Sequence, residues 1–264
     1  MADGKAAHLG PRSLSWTLAL KSEEVWAQCT DCDTRDVDEA VASSYACFQS
    51  YQHWTPCWSA ELFLAWHQLI LDAQHDLAKI LVYETGKPLA EAYAEITHAT
   101  SFTRWFAGEA ERVQGTTSRS ALPGRRSLVI KQPIGVAVAL VPRNFPVALA
   151  LRKAGFPPGA VNVLPTRLEN TPSLSEALCV HPLVGKVSFT VSTRVGKIIA
   201  GLCARKLKKS TLELGGNCPF IVFDDADSEA VVAQLAALKW RHAGQACVTA
   251  NRVYVQTGVH EELI

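Results

Sequence analysis

The sequence predicts an α/β fold, a parallel sheet with flanking helices. Helical periodicity fills the region from Val37 to Ala94 and resumes as far as Gly108. From Gly135 onward, short apolar runs alternate with helical segments, the pattern of βαβ units. The composition is globular: 264 residues, 48% hydrophobic and 19% charged, enough for one large or two medium-sized domains with a real core.

In chain order, "DVDEAVASSYACF" opens on an aspartate able to cap a helix, with Val37, Ala40, Val41 and Ser44 at helical spacing. "AELFLAWHQLILDAQHDLAKILVYETGKP" continues through Leu62, Trp66, Leu69, Leu77 and Leu81 and stops at Gly86 and Pro88. A further helix is expected from about Leu89 to Gly108. His67, His75 and His98 fall in these helices and read as surface or internally satisfied histidines. Ser127 to Lys131 reads as a short β-arm. Gly135 to Val141 is a continuous apolar run, expected to be a strand buried on both faces of the sheet. "AVNVLP" (Ala160 to Pro165), "GKVSFT", "KSTLEL" and "CPFIVF" are expected as further strands, with a helix starting at Ser192.

The formal net charge of +1 gives no electrostatic case for nucleic acid or an acidic membrane surface. The basic cluster Arg205 to Lys209 suits a helix end, where cations complement the macrodipole. No apolar run reaches the length of a membrane span, and "LSWTLALK" lacks the basic flank and cleavage site of a signal peptide. The eight cysteines are scattered, which predicts free thiols in a reducing compartment. The cytoplasm is expected, with the mitochondrion as the alternative; Asp3, Lys5 and Arg12 give a transit peptide only weak support. "CTDC" (Cys29 to Cys32) has no second CxxC and reads as ordinary thiols rather than a zinc or redox site.

Four stretches carry potential chemistry. Cys247 in "WRHAGQACVTANR" is either one more small buried residue or a thiolate nucleophile. Glu213 is a lone acid in an otherwise apolar strand that ends at Gly215 and Gly216. Its carboxylate is costly to ionise there and suited to a general base, or else it points out of an edge strand. Asn144 in "VPRNFP" follows the buried strand, braced by two prolines. It is either an oxyanion donor at the carboxyl end of a parallel strand or a turn former. In "FTVSTRVGK" small hydroxyl residues open a helix whose free N–H groups suit a phosphate. No GxGxxG motif occurs.

The phrases "ETGKPLAEA", "GRRSLVIKQPIGV", "NFP", "FTVSTRVGK", "LELGGNCPF" and "GQACVTANRVYVQ" together resemble the NAD(P)-dependent aldehyde dehydrogenases, from about Asp36 to Ile264. The resemblance implies an aldehyde dehydrogenase-like α/β fold using NAD or NADP. Cys247 would attack the aldehyde carbon, Asn144 and the Cys247 N–H would hold the oxyanion, and Glu213 would activate the hydrolytic water. Ser192 would contact the pyrophosphate, with further cofactor contacts at Thr190, Val141 and Leu214. "RWFAGEAERVQG", "RRSLVIKQPIGV" and "HPLVGKVSFT" look most like the succinate-semialdehyde dehydrogenases. In that subgroup two arginines, matching Arg152 and Arg241, grip the distal carboxylate of the aldehyde, a task suited to the rigid guanidinium fork. The implied division is 1–115 for the helical part of the dinucleotide-binding domain, 116–133 for an oligomerisation arm, 134–214 for the rest of that domain and 215–264 for the start of a catalytic domain. Members of the family are homo-oligomers.

The chain also departs from the pattern. After "LRKAG" the family continues with "GCTVVxKPxExTP", carrying a strand and the Lys and Glu that hold the adenosine ribose. Here Gly155 runs directly into "FPPGAVNVLP". Val191 replaces the glycine of "FTGST", Arg143 the tryptophan of "PWNFP", and Thr249 the second cysteine of some relatives. The expectation is an incomplete dinucleotide-binding domain, a largely missing catalytic domain and weak or absent activity. The alternative is a non-catalytic subunit that associates with full-length relatives or is degraded.

Overall fold

A computed structural model of the chain describes residues 14–18, 25–155 and 161–263. Strands β1 (Leu14–Leu18) and β2 (Val25–Thr30) form an antiparallel pair. Helix α1 (Thr34–Tyr51) starts earlier than the aspartate at position 36 suggested. Its cap is Asp33, which accepts from Arg35 N at 2.8 Å, while the Asp36 carboxylate takes the Asp33 N–H at 2.8 Å. This reciprocal capping box satisfies two otherwise orphaned donors and turns Val37, Ala40 and Val41 inward.

The long helical run divides into α2 (Pro56–Asp72), α3 (Gln74–Thr85) and α4 (Leu89–Ala110). Thr55 caps α2 with Pro56 at its first position. Gly86, at φ 74, ends α3 in the left-handed conformation that favours glycine. Ile70, Ala78, Leu81, Ala92 and Ile96 make one core, closed by Ala148 and Leu151 of α5 (Pro146–Lys153). No helix among the described residues is long and apolar enough to cross a membrane. Strands β3 (Thr116–Arg119) and β4 (Arg126–Val129) form the expected antiparallel arm, exposed along its whole length.

Strands β5 (Val136–Leu140), β6 (Val184–Thr190) and β7 (Lys209–Glu213) form a three-stranded parallel sheet in that order. Helices α6 (Thr171–Val180) and α7 (Thr193–Ala204) pack on one face. There Val136, Val138, Val187 and Phe189 meet Val37, Leu178, Ile199 and Leu202 in the second core, which also takes in Cys32 of the "CTDC" pair. The other face carries Ala137, Ala139, Lys186, Ser188, Thr211 and Glu213, reached by Arg152 and Lys153 at the end of α5. Strand β5 is therefore not buried on both faces as its apolar run suggested. Its alanines are too small to fill that side, and no helix lies flat over it among the described residues.

"AVNVLP" is a second correction: residues 161–165 form no strand, and Ala160 lies outside the described residues. The polar groups of this segment turn to the α1 region instead of a ladder. The Asn162 amide donates to Ala40 O at 3.1 Å and Ser44 Oγ at 2.8 Å, and Pro165 O accepts from Cys32 N at 2.8 Å. The expected junction at Gly155 opens onto residues 156–160, also outside the described residues. Beyond the sheet, β8 (Cys218–Val222) and β9 (Ala250–Val255) pair in parallel, with α8 (Ser228–Trp240) and α9 (Thr257–Leu263) beside them. None of the residues of α8 is buried.

Candidate active site

The register aligns Leu140 with Phe189 and Phe189 with Leu212, so β5, β6 and β7 end together. Val141, Asn144, Ser192 and Leu214 follow these ends within a few residues, at the rim where open α/β sheets bind ligands. Asn144 Nδ2 donates to Gln245 O at 2.8 Å, two residues before Cys247. One amide hydrogen remains for another acceptor. Asn144 Oδ1 is buried without a partner, so the amide is oriented by the Gln245 carbonyl. The structure thus ties Asn144, just past the carboxyl end of β5, to the loop that carries Cys247.

That loop has unusual backbone. His242 (φ 47), Ala243 (φ 53) and Gly244 (φ 76) are left-handed in succession. For the two non-glycine residues this costs on the order of 1–3 kcal/mol each. Contacts hold it: the His242 N–H donates to Glu91 Oε2 at 2.8 Å, and the buried imidazole meets the Phe145 ring edge-on at 5.6 Å. Cys247 follows, exposed, and its carbonyl accepts from Cys218 Sγ at 3.3 Å. It is not a core cysteine. Cys179 and Cys203 are, and burial pushes the Cys179 thiol up to about 12, with the neighbouring Cys203 adding to the shift.

Glu213 is the last residue of β7. Its carboxylate pairs with Arg152 at 3.5 Å, each side chain about half exposed (46% and 50%). The apolar surroundings expected for it are absent, because β7 is an edge strand with mostly exposed positions. The pair borders a cleft of about 300 Å³ on the open sheet face. There Lys153 donates to Ser188 Oγ at 3.0 Å, and burial lowers its pKa against the raising influence of Glu213. No hydrogen bond links Glu213 to Cys247 among the described residues. The two arginines make different contacts. Arg152 sits in the last turn of α5, whereas Arg241 lies over the Phe145 ring, 5.2 Å from its centroid, at the helix's start.

Helix α7 presents its exposed first turn at the end of β6. Ser192 caps it, accepting from Val195 N at 3.4 Å, and the buried Thr190 hydroxyl has no partner. An uncovered helix start beside an orphaned hydroxyl fits a phosphate group. Leu214 packs so closely on this helix that a Cβ on Gly196 would lie 2.4 Å from its Cδ2. Val141 and Val191 are exposed along the same rim.

Sequence reasoning missed the residues that hold the two loops. Lys87 and Glu95 form an ion pair with no exposed side-chain surface, and Glu91 anchors His242. The signal was present: Glu95 interrupts the apolar stripe Ala92, Ile96 and Ala99, and Lys87 follows a helix-ending glycine.

The family model described as "Aldehyde dehydrogenase family" matches residues 17–154 and 147–264. The chain is 38% identical over 271 residues to a probable succinate-semialdehyde dehydrogenase [NADP(+)] of Sinorhizobium fredii, covering 90% of this chain and 55% of that protein. It is 40% identical over 258 residues to a 3-sulfolactaldehyde dehydrogenase of Pseudomonas putida, covering 86% and 52%. A crystal structure of succinate-semialdehyde dehydrogenase from Burkholderia pseudomallei superposes with a TM-score of 0.89 at 33% identity, covering 95% of this chain and 58% of that one. The chain therefore spans little more than half the length of the relatives it matches. Relatives of this kind use NAD or NADP. With the rim, the loops and the matches in agreement, the chain belongs to the aldehyde dehydrogenase family.

Proposed function

We propose that the chain carries the nucleophile, oxyanion and phosphate parts of an oxidoreductase that converts an aldehyde with a distal anionic group, succinate semialdehyde foremost, to its acid. The observation that carries this reading is the Asn144 to Gln245 hydrogen bond at 2.8 Å, which ties the β5 rim to the Cys247 loop. The Cys247 thiolate attacks the aldehyde carbon. The free Asn144 amide hydrogen and the Cys247 N–H stabilise the resulting oxyanion. NAD or NADP, when bound, supplies the acceptor for the substrate's hydride. Ser192 and Thr190 hold its phosphates at the start of α7, with Val141 and Leu214 alongside. Glu213 takes the proton of the water that hydrolyses the Cys247 thioester. Arg152 and Arg241 bind the distal carboxylate. The likeness to a 3-sulfolactaldehyde dehydrogenase suits the same role, since a sulfonate also offers a guanidinium fork paired oxygens.

In this chain the reading includes weak turnover or none. Glu213 is paired with Arg152 over the sheet cleft, and Arg241 lies against the Phe145 ring instead. The alignment also supports a missing internal segment, since 271 aligned positions cover only 90% of 264 residues. Purified chain given succinate semialdehyde and either nicotinamide cofactor should produce little reduced cofactor by absorbance. Mass spectrometry should find any trapped acyl group on Cys247. Turnover matching a full-length relative would overturn the weak-activity reading, and an acyl group on another cysteine would overturn the assignment of the nucleophile.

A second reading, a non-catalytic partner of full-length subunits, is favoured by the arm. Leu128 and Ile130 are 74% and 65% exposed on a hairpin whose two strands are exposed at every position. Co-purification with a full-length relative, lost on Leu128→Lys, would support it; a chain that stays alone would not.

A further inference from the structure

We propose that Lys87 and Glu95 are positioning residues for the Cys247 centre, and that α4 serves as the common mount for its two loops. The proposal rests on the reading of Cys247 as nucleophile given above. The Lys87 ammonium donates to the Glu95 carboxylate and to Asn144 O, the latter at 2.9 Å. It also lies 4.4 Å from the centroid of the Phe145 ring. The other Glu95 oxygen accepts from Val147 N at 3.0 Å and Ala148 N at 3.2 Å, donors in the first turn of α5. The pair therefore grips the backbone on both sides of Phe145, by a carbonyl before it and two N–H groups after it. Glu91 lies four residues before Glu95, on the same side of α4, and takes the His242 N–H at 2.8 Å. One carboxylate thus holds the Asn144 loop and its neighbour one turn away holds the Cys247 loop. Phe145 is the contact between them, with Arg241 and His242 against its ring.

A buried ion pair is seldom worth more to stability than apolar side chains of the same volume. Its directional contacts to backbone instead fix where the Asn144 amide stands. The double variant Lys87→Met/Glu95→Leu separates these effects. Its thermal midpoint should fall, since Val147 N and Ala148 N lose their acceptor, but less than that of Glu95→Leu alone, which also leaves a stranded cation. Amide exchange at Val147 and Ala148 should speed up at least tenfold in the double variant.

The chemical readout compares two reagents at Cys247. With p-nitrophenyl acetate the thiolate bonds to the acetyl carbon, the carbonyl pair moves onto oxygen, and collapse expels p-nitrophenolate to leave a thioester. With iodoacetamide the sulfur displaces iodide at a saturated carbon, and no oxyanion forms. The ratio of acylation to alkylation should fall tenfold or more in the double variant. Should that variant not fold, Glu95→Gln, which keeps the shape and loses the charge, is read in the same way. An unchanged ratio overturns the proposal. If wild type is acylated no faster than Cys247→Ala, the nucleophile reading fails on its own. Exchange at Val147 and Ala148 then decides the clamp, upheld if it rises and overturned if it does not.

Discussion

Cys247 and Cys57 are the exposed thiols of the described chain. The Glu61 carboxylate beside Cys57 raises its pKa, so less of it is thiolate at neutral pH. Cys179 is raised further by burial and shielded as well. Brief native alkylation should therefore label Cys247 first, Cys57 more slowly and Cys179 only after unfolding, as read by peptide mass spectrometry. Equal labelling of Cys247 and Cys57 would mean the loop confers no reactivity. His242 makes a separate prediction. Burial lowers its pKa, with the Lys87 cation adding to the effect. Between that depressed value and the unfolded value of about 6.5 the unfolded chain binds more protons. Stability is thus fully present above about pH 6.5 and is lost as the pH falls through the window. In urea titrations His242→Gln should flatten that acid-side decline.

At the scale of elements, β6 starts under a tight constraint. A Cβ on Gly185 would lie 2.4 Å from the Ile134 carbonyl oxygen, a backbone atom that cannot swing aside. Gly185→Ala should cost about 1–3 kcal/mol, as overpacking does elsewhere, measurable by denaturant unfolding. Such elements were legible because periodicity reports burial: α4, β6 and α7 fall where the apolar spacing put them. The misreadings share one cause, since a sequence does not state what covers a surface. "AVNVLP" has the composition of a strand but no neighbour to pair with, and β5 is apolar enough for two covered faces but has one. For Glu213 two readings stand open in the sequence, an acid in apolar surroundings or one pointing out of an edge strand, and the half-exposed side chain fits the second. The chemistry-bearing residues were legible one by one. Their mount was not, because Lys87 and Glu95 are of residue types normally found at the surface.

The whole molecule is unevenly consolidated. The face of the β5–β6–β7 sheet under α6 and α7 carries the larger core. The unit after Gly216 holds a two-stranded sheet and a helix with no buried residue, and Ile221, Phe223, Tyr254 and Trp240 are all at least half exposed. Two strands alone are marginal in water, so amides of β8 and β9 should exchange orders of magnitude faster than those of β5 and β6. Equal protection would show that this unit is held by more than the contacts described.

The sulfur of Cys247 is placed by a turn that would relax if released. Its grip comes from Glu91, a carboxylate 151 positions earlier in the chain. Any slackening of α4 would let the turn unwind toward ordinary backbone and loosen the loop that Asn144 holds at Gln245 O. On the proposed reading of Cys247 as nucleophile, its reactivity depends on a remote helix, and disturbance there would silence the thiol without anything touching it.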